Sequence, residues 1–432
     1  MKHRIVVLGA GYAGAYVAGN LARRLSSADT EITVVNAVPE FVQRLRLHQL
    51  AAGRDIEAPR LTDVFAGTAI RLRVARVTAV DPERRSVAVA DTAGGGDLGY
   101  DTLVYALGSH GHDHGVPGVA EHAFDVAARP SALRLRARLE HLGRGGGEGN
   151  VVVVGDGLTG IETATEIAET RRDLSVTLIA RGELGTRLSA GARGHLRRAC
   201  DRLGITVVEH TGVQAVEGAR VLCADGTVLA SDATVWAAGF AVGSLAAAAG
   251  LEVTGDGRIV VDRTMRSISH PDIYAVGDSV HAVGDNGRPL PMSCGSAGYT
   301  GRQAIEAIVG RLTGRELLTD DATAVSDGAG LTEKLMRFDT PQRIAAVARA
   351  GFKPTAAKRR LAGGTPAVHY ALVNGAPALL FVLGDQVVGA VTFDLTGGRI
   401  ATVRGIAAPA RLVRLTEAWR RHGPDTPLIT QW

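Results

Sequence analysis

Gly9, Gly11 and Gly14 form a Gly-x-Gly-x-x-Gly pattern, and Gly155, Gly157 and Gly160 repeat it 146 residues later. Both patterns stand in a context that gives them chemical meaning. Residues 5–8 are a short, β-branched apolar run that predicts a strand. A helical pattern through Leu25 follows the glycines, and residues 31–35 predict the next strand. Residues 151–154, a helix through about Thr170 and residues 175–180 repeat the arrangement. In such a strand–turn–helix unit the first glycine permits the tight turn and the second lets the backbone approach a pyrophosphate. The third lets helix and strand pack closely. The helix N-terminus then offers unpaired N–H groups and partial positive charge to phosphates. One such pattern among 55 glycines is weak evidence; two, each between a strand and a helix, predict two dinucleotide sites. The pairing of dinucleotides that does chemistry is a flavin with a nicotinamide.

The rest of the chain must supply domains for these sites. At roughly 150 residues per domain, 432 residues predict two or three. Apolar residues at 46% and charged residues at 21% make an ordinary globular composition and exclude a largely disordered chain. No uninterrupted apolar run reaches about 18 residues, so no membrane-spanning helix is expected. The first residues, Met1-Lys2-His3-Arg4, run straight into a strand without a signal-peptide cleavage site, and a cytoplasmic location is expected. Cys200, Cys223 and Cys294 are far apart and form no CxxC, which argues against a disulfide framework, a structural zinc site or a redox dithiol. Each reads as a small packed hydrophobe. Residues 316–432 carry 14 basic and 10 acidic side chains, which is the whole of the net +4, and so weak an excess calls for no nucleic acid. His110, His112 and His114 alternate in a loop flanked by Gly108, Gly115 and Pro117; such histidines are usually solvated, and no metal is expected.

As a set, four motifs in residues 1–315 resemble the two-dinucleotide flavoprotein reductases of the pyridine nucleotide–disulfide oxidoreductase superfamily. The first fingerprint matches the family's FAD site. Thr102-Leu103-Val104-Tyr105-Ala106-Leu107-Gly108 is similar to the strand that closes the first domain. The second fingerprint matches the NAD(P)H site, with its closing strand at Thr234-Val235-Trp236-Ala237-Ala238-Gly239. Ile273-Tyr274-Ala275-Val276-Gly277-Asp278 resembles the strand whose aspartate bonds the flavin ribityl chain. Within the superfamily, Thr159-Gly160-Ile161-Glu162 is similar to type II NADH dehydrogenases, and residues 41–50, FVQRLRLHQL, to their actinobacterial members. The resemblance implies a catalytic role for Glu162, close to nicotinamide and flavin. No reactive cysteine follows either fingerprint as disulfide reductases require, so that activity is rejected.

Several positions depart from the pattern. Asn36 stands where the family usually offers a carboxylate to the adenosine ribose. Ala180 and Arg181 stand where an NADH-selective site would place Asp or Glu, with Glu183 close by as a substitute, and NADPH is expected to serve at least as well as NADH. The Ala-Gln pair that borders the quinone site in the type II enzymes corresponds to a stretch holding Cys294, Gly295, Ser296 and Ala297, with glycine in place of glutamine. Quinone therefore remains one acceptor among several. Ser296 and Ala297 are expected beside the flavin, and Cys294 near it.

Residues 316–432 read differently. A helix near 340–350, four short strands at 367–373, 378–383, 387–393 and 400–406, and a helix at 409–421 are expected. Asn374-Gly375, Gly384-Asp385 and Gly397-Gly398 read as the turns between the strands. This stretch resembles the later half of a SnoaL-like α+β domain of the kind found in extracytoplasmic-function sigma factors. Leu379, Phe381, Val391 and Phe393 are expected on a sheet face covered by the reductase or by a second copy, and Lys353, Lys358, Arg359 and Arg360 in a solvated loop.

The expected fold class is α/β: two Rossmann-like dinucleotide-binding domains of the three-layer ββα type plus a small C-terminal α+β domain. Residues 1–113 and 263–315 are expected to bind FAD, 114–262 to bind NAD(P)H, and 316–432 to form the SnoaL-like appendage. Gly9, Gly11, Gly14, Asn36, Gly108, Gly277, Asp278, Ser296 and Ala297 are the expected FAD contacts. Gly155, Gly157, Gly160, Arg181 and Gly239 are those for NAD(P)H. The expected activity is an FAD-dependent NAD(P)H oxidoreductase in which hydride passes to the flavin and electrons go on to a quinone or another small acceptor. A ferredoxin-type reductase, or a non-catalytic redox regulator acting through the tail, is the alternative. Peripheral membrane contact and a homodimer stay open.

Overall fold

The computed structural model describes residues 2–92, 94–144, 149–186, 188–284, 287–314, 318–327, 335–396, 399–423 and 426–431. The chain folds into two compact units, Met1–Val309 and Gly310–Trp432.

In the first unit, strand β1 (His3–Leu8) leads through Gly9–Gly11 into helix α1 (Tyr12–Arg24) and then strand β2 (Thr30–Asn36). Strand β3 (Gly149–Val154), helix α2 (Leu158–Thr170) and strand β4 (Leu174–Ile179) repeat the arrangement. All six elements lie within two residues of the expected positions. β1 is the middle of a five-stranded parallel sheet ordered Ile273–Ala275, Thr102–Tyr105, β1, β2, Arg71–Val74. β3 is the middle of a second, ordered Thr206–Val208, β4, β3, Ala233–Trp236, Ala123–Phe124. Both central strands are buried along their apolar ends, as continuous Val/Ile/Leu runs in parallel sheets are. Each sheet has a three-stranded antiparallel companion, one built from Arg76–Asp81, Ser86–Ala90 and Gly96–Gly99, the other from Val213–Glu217, Arg220–Cys223 and Val228–Ala230.

Two features tie the halves of this unit together. Ser109–Gly111 pairs antiparallel with Phe240–Val242, so the chain leaving one closing strand bonds to the chain leaving the other. The short helix Leu47–Ala51 buries Leu47, Leu50 and Ala51 in one core with Leu135, Leu139 and Ile167 of the second sheet's helices. Helix α3 (Cys294–Thr313) runs beside α1, where Gly301 lies close to Tyr16 and Val17: a Cβ at Gly301 would stand 3.1 Å from the Tyr16 ring. No described helix is long and apolar enough to cross a membrane.

The second unit holds a six-stranded sheet. Strands β5 (Ala376–Leu383) and β6 (Gln386–Thr396) are paired antiparallel at its centre. The full order is Met336–Phe338, Leu318–Ser326, Arg399–Ile406, β6, β5, Ala367–Val373. Asn374 and Gly375 both take positive φ, 52° and 81°, as a two-residue hairpin turn requires, and Gly384 takes 61°. The expected turn at Gly397-Gly398 lies outside the described residues. Helix α4 (Pro409–His422) covers one face: Leu412 is buried with Ala378, Leu380, Val382, Val387 and Ala390.

The expectation that the sheet needs the reductase or a second copy to make a core is corrected here, because α4 of the same unit supplies one. Leu379 and Phe381 lie opposite the face that α4 covers, where Phe381 meets Phe352 at 5.6 Å between ring centroids. Val391 and Phe393 are half-buried and outside the cluster beneath α4. Residues 378–383 are apolar at every position, so their alternation carries no parity, and the covering helix decides which set is inside. That helix belongs to the same unit, so the sheet has a core without a second copy. The basic cluster also differs from expectation, because Lys358, Arg359 and Arg360 lie on the short helix Ala356–Ala362. Thr355 caps this helix, and Lys358 Nζ donates to the carbonyls of Gly351 and Lys353.

Leu380→Ala should destabilise this unit by about 2–5 kcal/mol, the cost of a cavity in a packed core, and Leu379→Ala by much less. Urea unfolding of the full chain, followed for both variants, reads the difference. Equal losses would place the wrong strand face inside.

Candidate functional site

The two glycine patterns adopt the same geometry at the ends of β1 and β3. Gly9 has φ +91°, and a Cβ there would stand 2.5 Å from the Ala106 carbonyl oxygen; a Cβ on Gly14 would stand 1.9 Å from the Gly9 oxygen. Gly155 has φ +118° with a Cβ position 2.5 Å from the Ala237 oxygen, and Gly160 would place one 1.8 Å from the Gly155 oxygen. The chain itself forbids side chains at these four positions. Gly11 and Gly157 are different: a Cβ at either meets nothing within 4 Å. Both are the N-caps of their helices, both have extended backbone, and neither helix start has a side-chain cap or an acidic residue in its first turn. Each is therefore an uncapped helix N-terminus opening on free space, the arrangement that receives a pyrophosphate. On this test the residues present fit two dinucleotides.

Beside the first pattern, Asn36 is held within the chain. Its Oδ1 accepts from the Ala10 N–H at 2.9 Å and its Nδ2 donates to the Val38 carbonyl at 2.8 Å. Gly108 takes φ +70° and Gly277 φ +75°; a Cβ on Gly277 would stand 3.1 Å from that of Ala13. The Gly277 N–H donates to Thr300 Oγ1 of α3 at 3.0 Å, which ties the turn carrying Asp278 to that helix. Asp278 Oδ2 accepts from Ser109 Oγ at 2.6 Å and lies 3.7 Å from Arg44 Nη1. Arg44 Nη1 also donates to the Ser109 carbonyl at 2.9 Å, and its guanidinium carbon lies 4.8 Å over the Phe240 ring. Arg44 Nη2 is buried without a hydrogen-bond partner among the described residues. In α3, Ser296 donates its N–H to Ser293 Oγ at 3.2 Å, Ala297 is buried, and Cys294 is exposed. Although the residue is exposed as a whole, partial desolvation of its thiol pushes it up and the Asp278 charge adds to it, against the pull of Arg44.

Glu162 is the fifth residue of α2, beyond its first turn, so the free helix N-terminus has no carboxylate of its own. Its charge pulls the Cys294 thiol and His48 upward, in each case less strongly than burial acts. Burial pushes the half-buried His48 down, against the pull of Glu162 and Glu166.

At the second pattern, Arg181 is exposed at the end of β4. Glu183, the expected substitute carboxylate, bonds Arg193 at 2.9 Å and Arg197 at 3.4 Å. Arg197 also pairs with Glu209 at 2.7 Å, which holds the Glu209 carboxyl below its usual range. Gly239 takes φ +142° and faces His114, whose Nε2 would be 3.1 Å from an added Cβ. His112 and His114 stack at 4.4 Å, and the Trp236 indole donates to the His112 carbonyl. Cys200 and Cys223 are buried in the cores, as expected of packed hydrophobes.

The structure thus brings together Gly9, Gly11, Gly14, Asn36, Gly108, Gly277 and Asp278 at one sheet and Gly155, Gly157, Gly160, Arg181 and Gly239 at the other. Sequence reasoning gave no role to Ser109, Arg44 or His48. The signal for the last two was the density of basic residues in the apolar segment 41–50.

Residues 3–301 match the model of the pyridine nucleotide-disulphide oxidoreductase family. An NADH dehydrogenase-like protein of Mycobacterium tuberculosis is 33% identical over 341 residues, covering 73% of this chain and 82% of its own. A type II NADH:quinone oxidoreductase of Staphylococcus haemolyticus is 26% identical, over 73% of this chain and 84% of its own. Among solved structures, NDH2 of Plasmodium falciparum in complex with NADH superposes with a TM-score of 0.58 at 21% identity and shares the fold; the match spans 65% of each chain. The chain belongs to the pyridine nucleotide-disulphide oxidoreductase family and is an oxidoreductase whose cofactors are FAD and NAD(P)H.

Proposed function

We propose that this enzyme is an NAD(P)H dehydrogenase that holds FAD on residues 1–113 and 263–315 and NAD(P)H on residues 114–262, and delivers electrons to a quinone or another small oxidant. The observation that carries the reading is the pair of open glycines, Gly11 and Gly157, at uncapped helix N-termini one per sheet. When bound, the nicotinamide supplies hydride and the flavin takes it up and passes the electrons on. The chain's own work is to bind, orient and exclude water. The N–H groups at the starts of α1 and α2 receive the two pyrophosphates. Gly108, Gly277, Asp278, Ser296 and Ala297 line the flavin, and Gly239 the nicotinamide. The pairing of Ser109–Gly111 with Phe240–Val242 fixes the distance between the two closing strands. Glu162, in the Thr159-Gly160-Ile161-Glu162 motif similar to type II NADH dehydrogenases, is the catalytic carboxylate of this reading. The Staphylococcus haemolyticus relative is named as an NADH:quinone oxidoreductase, which supports a quinone here. Gly295 in place of the family's glutamine leaves room for other acceptors. Residues 316–432 are proposed as a SnoaL-like α+β appendage.

The same reading makes the second site tolerant of NADPH. Glu183 is engaged by two arginines, so it is poorly placed to repel a 2′-phosphate, while the Arg181 guanidinium is exposed at the end of β4.

Gly11→Val should put a side chain into the pyrophosphate path and weaken FAD binding by at least about a hundredfold, roughly 2.7 kcal/mol. The purified variant should be colourless where the parent is yellow; full flavin absorbance in the variant rejects the assignment. Arg181→Ala should weaken NADPH selectively, since a charge-assisted bond to phosphate is worth roughly 1.5–3 kcal/mol. Stopped-flow reduction of the flavin by each coenzyme measures this, and equal losses for NADH and NADPH would show that Arg181 reads no phosphate.

A further inference from the structure

Arg44 lies in the short turn Arg44–Arg46, and three separate parts of the chain restrain it. The Ser109 carbonyl, just past the first closing strand, accepts from Nη1 at 2.9 Å. The Phe240 ring, just past the second closing strand, lies under the guanidinium at 4.8 Å. Asp278 stands 3.7 Å from Nη1, while the same carboxylate oxygen accepts a shorter bond from Ser109 Oγ at 2.6 Å. Asp278 therefore attracts the guanidinium without taking up its fork. Nη2 remains buried with no acceptor among the described residues. A buried charged donor left unpaired is costlier than a neutral one, so an arginine fixed in this way is complete only when an acceptor arrives.

We propose that Arg44 is a positioning residue for the flavin, giving its Nη2 hydrogens to an electron-rich atom of bound FAD and favouring the reduced, negatively charged state with its fixed charge. The proposal rests on the reading that the first sheet holds FAD. Hydride brings two electrons and one proton, so uptake adds one negative charge to the ring system. A guanidinium is charged at every relevant pH, and its fork is rigid, so the stabilisation needs no reorganisation when that charge appears.

The test compares Arg44→Met, Arg44→Lys and a control, Arg46→Met, in the full chain. Arg46 is exposed and donates to Gln49, so the control removes the same charge two residues away. The readouts are FAD stoichiometry and the midpoint potential of the bound flavin by dye equilibration. Arg44→Met should weaken the reduced state about tenfold relative to the oxidised, a fall of about 30 mV for a two-electron couple. Arg44→Lys should recover most of that fall, and Arg46→Met should leave the potential unchanged. If Arg44→Met folds with unchanged circular dichroism and melting but holds no FAD, while Arg44→Lys holds it, the contact stands through affinity instead. A parental potential in an FAD-loaded Arg44→Met protein overturns the proposal. FAD retained by Gly11→Val and lost by Gly157→Val would instead remove the underlying assignment, which keeps the two failures apart.

Discussion

A methyl group on Gly14 would stand 1.9 Å from the carbonyl oxygen of Gly9, and one on Gly160 1.8 Å from that of Gly155. No real Cβ tolerates such distances, so helix and strand meet backbone to backbone at both places. This close approach brings the first turn of α1 over the end of β1, and that of α2 over the end of β3. The consequence is electrostatic as well as steric. Helix N-termini without side-chain caps or first-turn acids keep their partial positive charge and free N–H groups, and both point past the sheet ends toward the open sides of Gly11 and Gly157.

Two such units do chemistry together only if their spacing is fixed. Here the segment around Phe41–Leu50 does this. The Phe41 ring meets Tyr12 of α1 edge-on at 5.2 Å between centroids, and a few residues later Leu47 and Leu50 are buried in the core of the second sheet's helices. Arg54 pairs with Glu166 of α2 at 2.5 Å just beyond. Moving one half against the other would expose Leu47 and Leu50, each worth about 1.5–3 kcal/mol when fully buried. Arg44 lies between these two anchors, so its position follows from packing at both ends of the segment.

The dinucleotide units were legible because glycine at a close backbone approach has no substitute, and because both patterns stand between a strand and a helix. The strands of the second unit were legible from turns such as Asn374-Gly375, whose φ values of 52° and 81° few residue pairs accept. Which face of β5 is inside was not legible, since residues 378–383 are apolar throughout and the choice depends on α4, some 30 residues further on. The contacts of Arg44 were hidden for a related reason. Ser109, Phe240 and Asp278 come from three distant stretches, and no local pattern shows that one guanidinium touches all of them. Asn36 shows the converse. Its position at the end of β2 is legible from the strand pattern, but its side-chain bonds to Ala10 and Val38 depend on loop geometry that spacing does not reveal.

The charges around the two sheets follow one arrangement with different results. At the second sheet Glu183 and Glu209 share Arg193 and Arg197 in a connected network, each carboxylate closely bonded, so these charges largely neutralise one another and leave Arg181 to define the local field. At the first sheet the pairing is looser. Asp278 takes its short bond from a neutral hydroxyl and keeps Arg44 at 3.7 Å. A pair at that separation holds both groups in place without satisfying the guanidinium. Had Asp278 bound the arginine in bidentate fashion, both would be closed to a ligand; had it been absent, a half-buried cation would have lost its anchor. The intermediate distance keeps the carboxylate and the guanidinium oriented toward one place, with donor capacity left at Nη2.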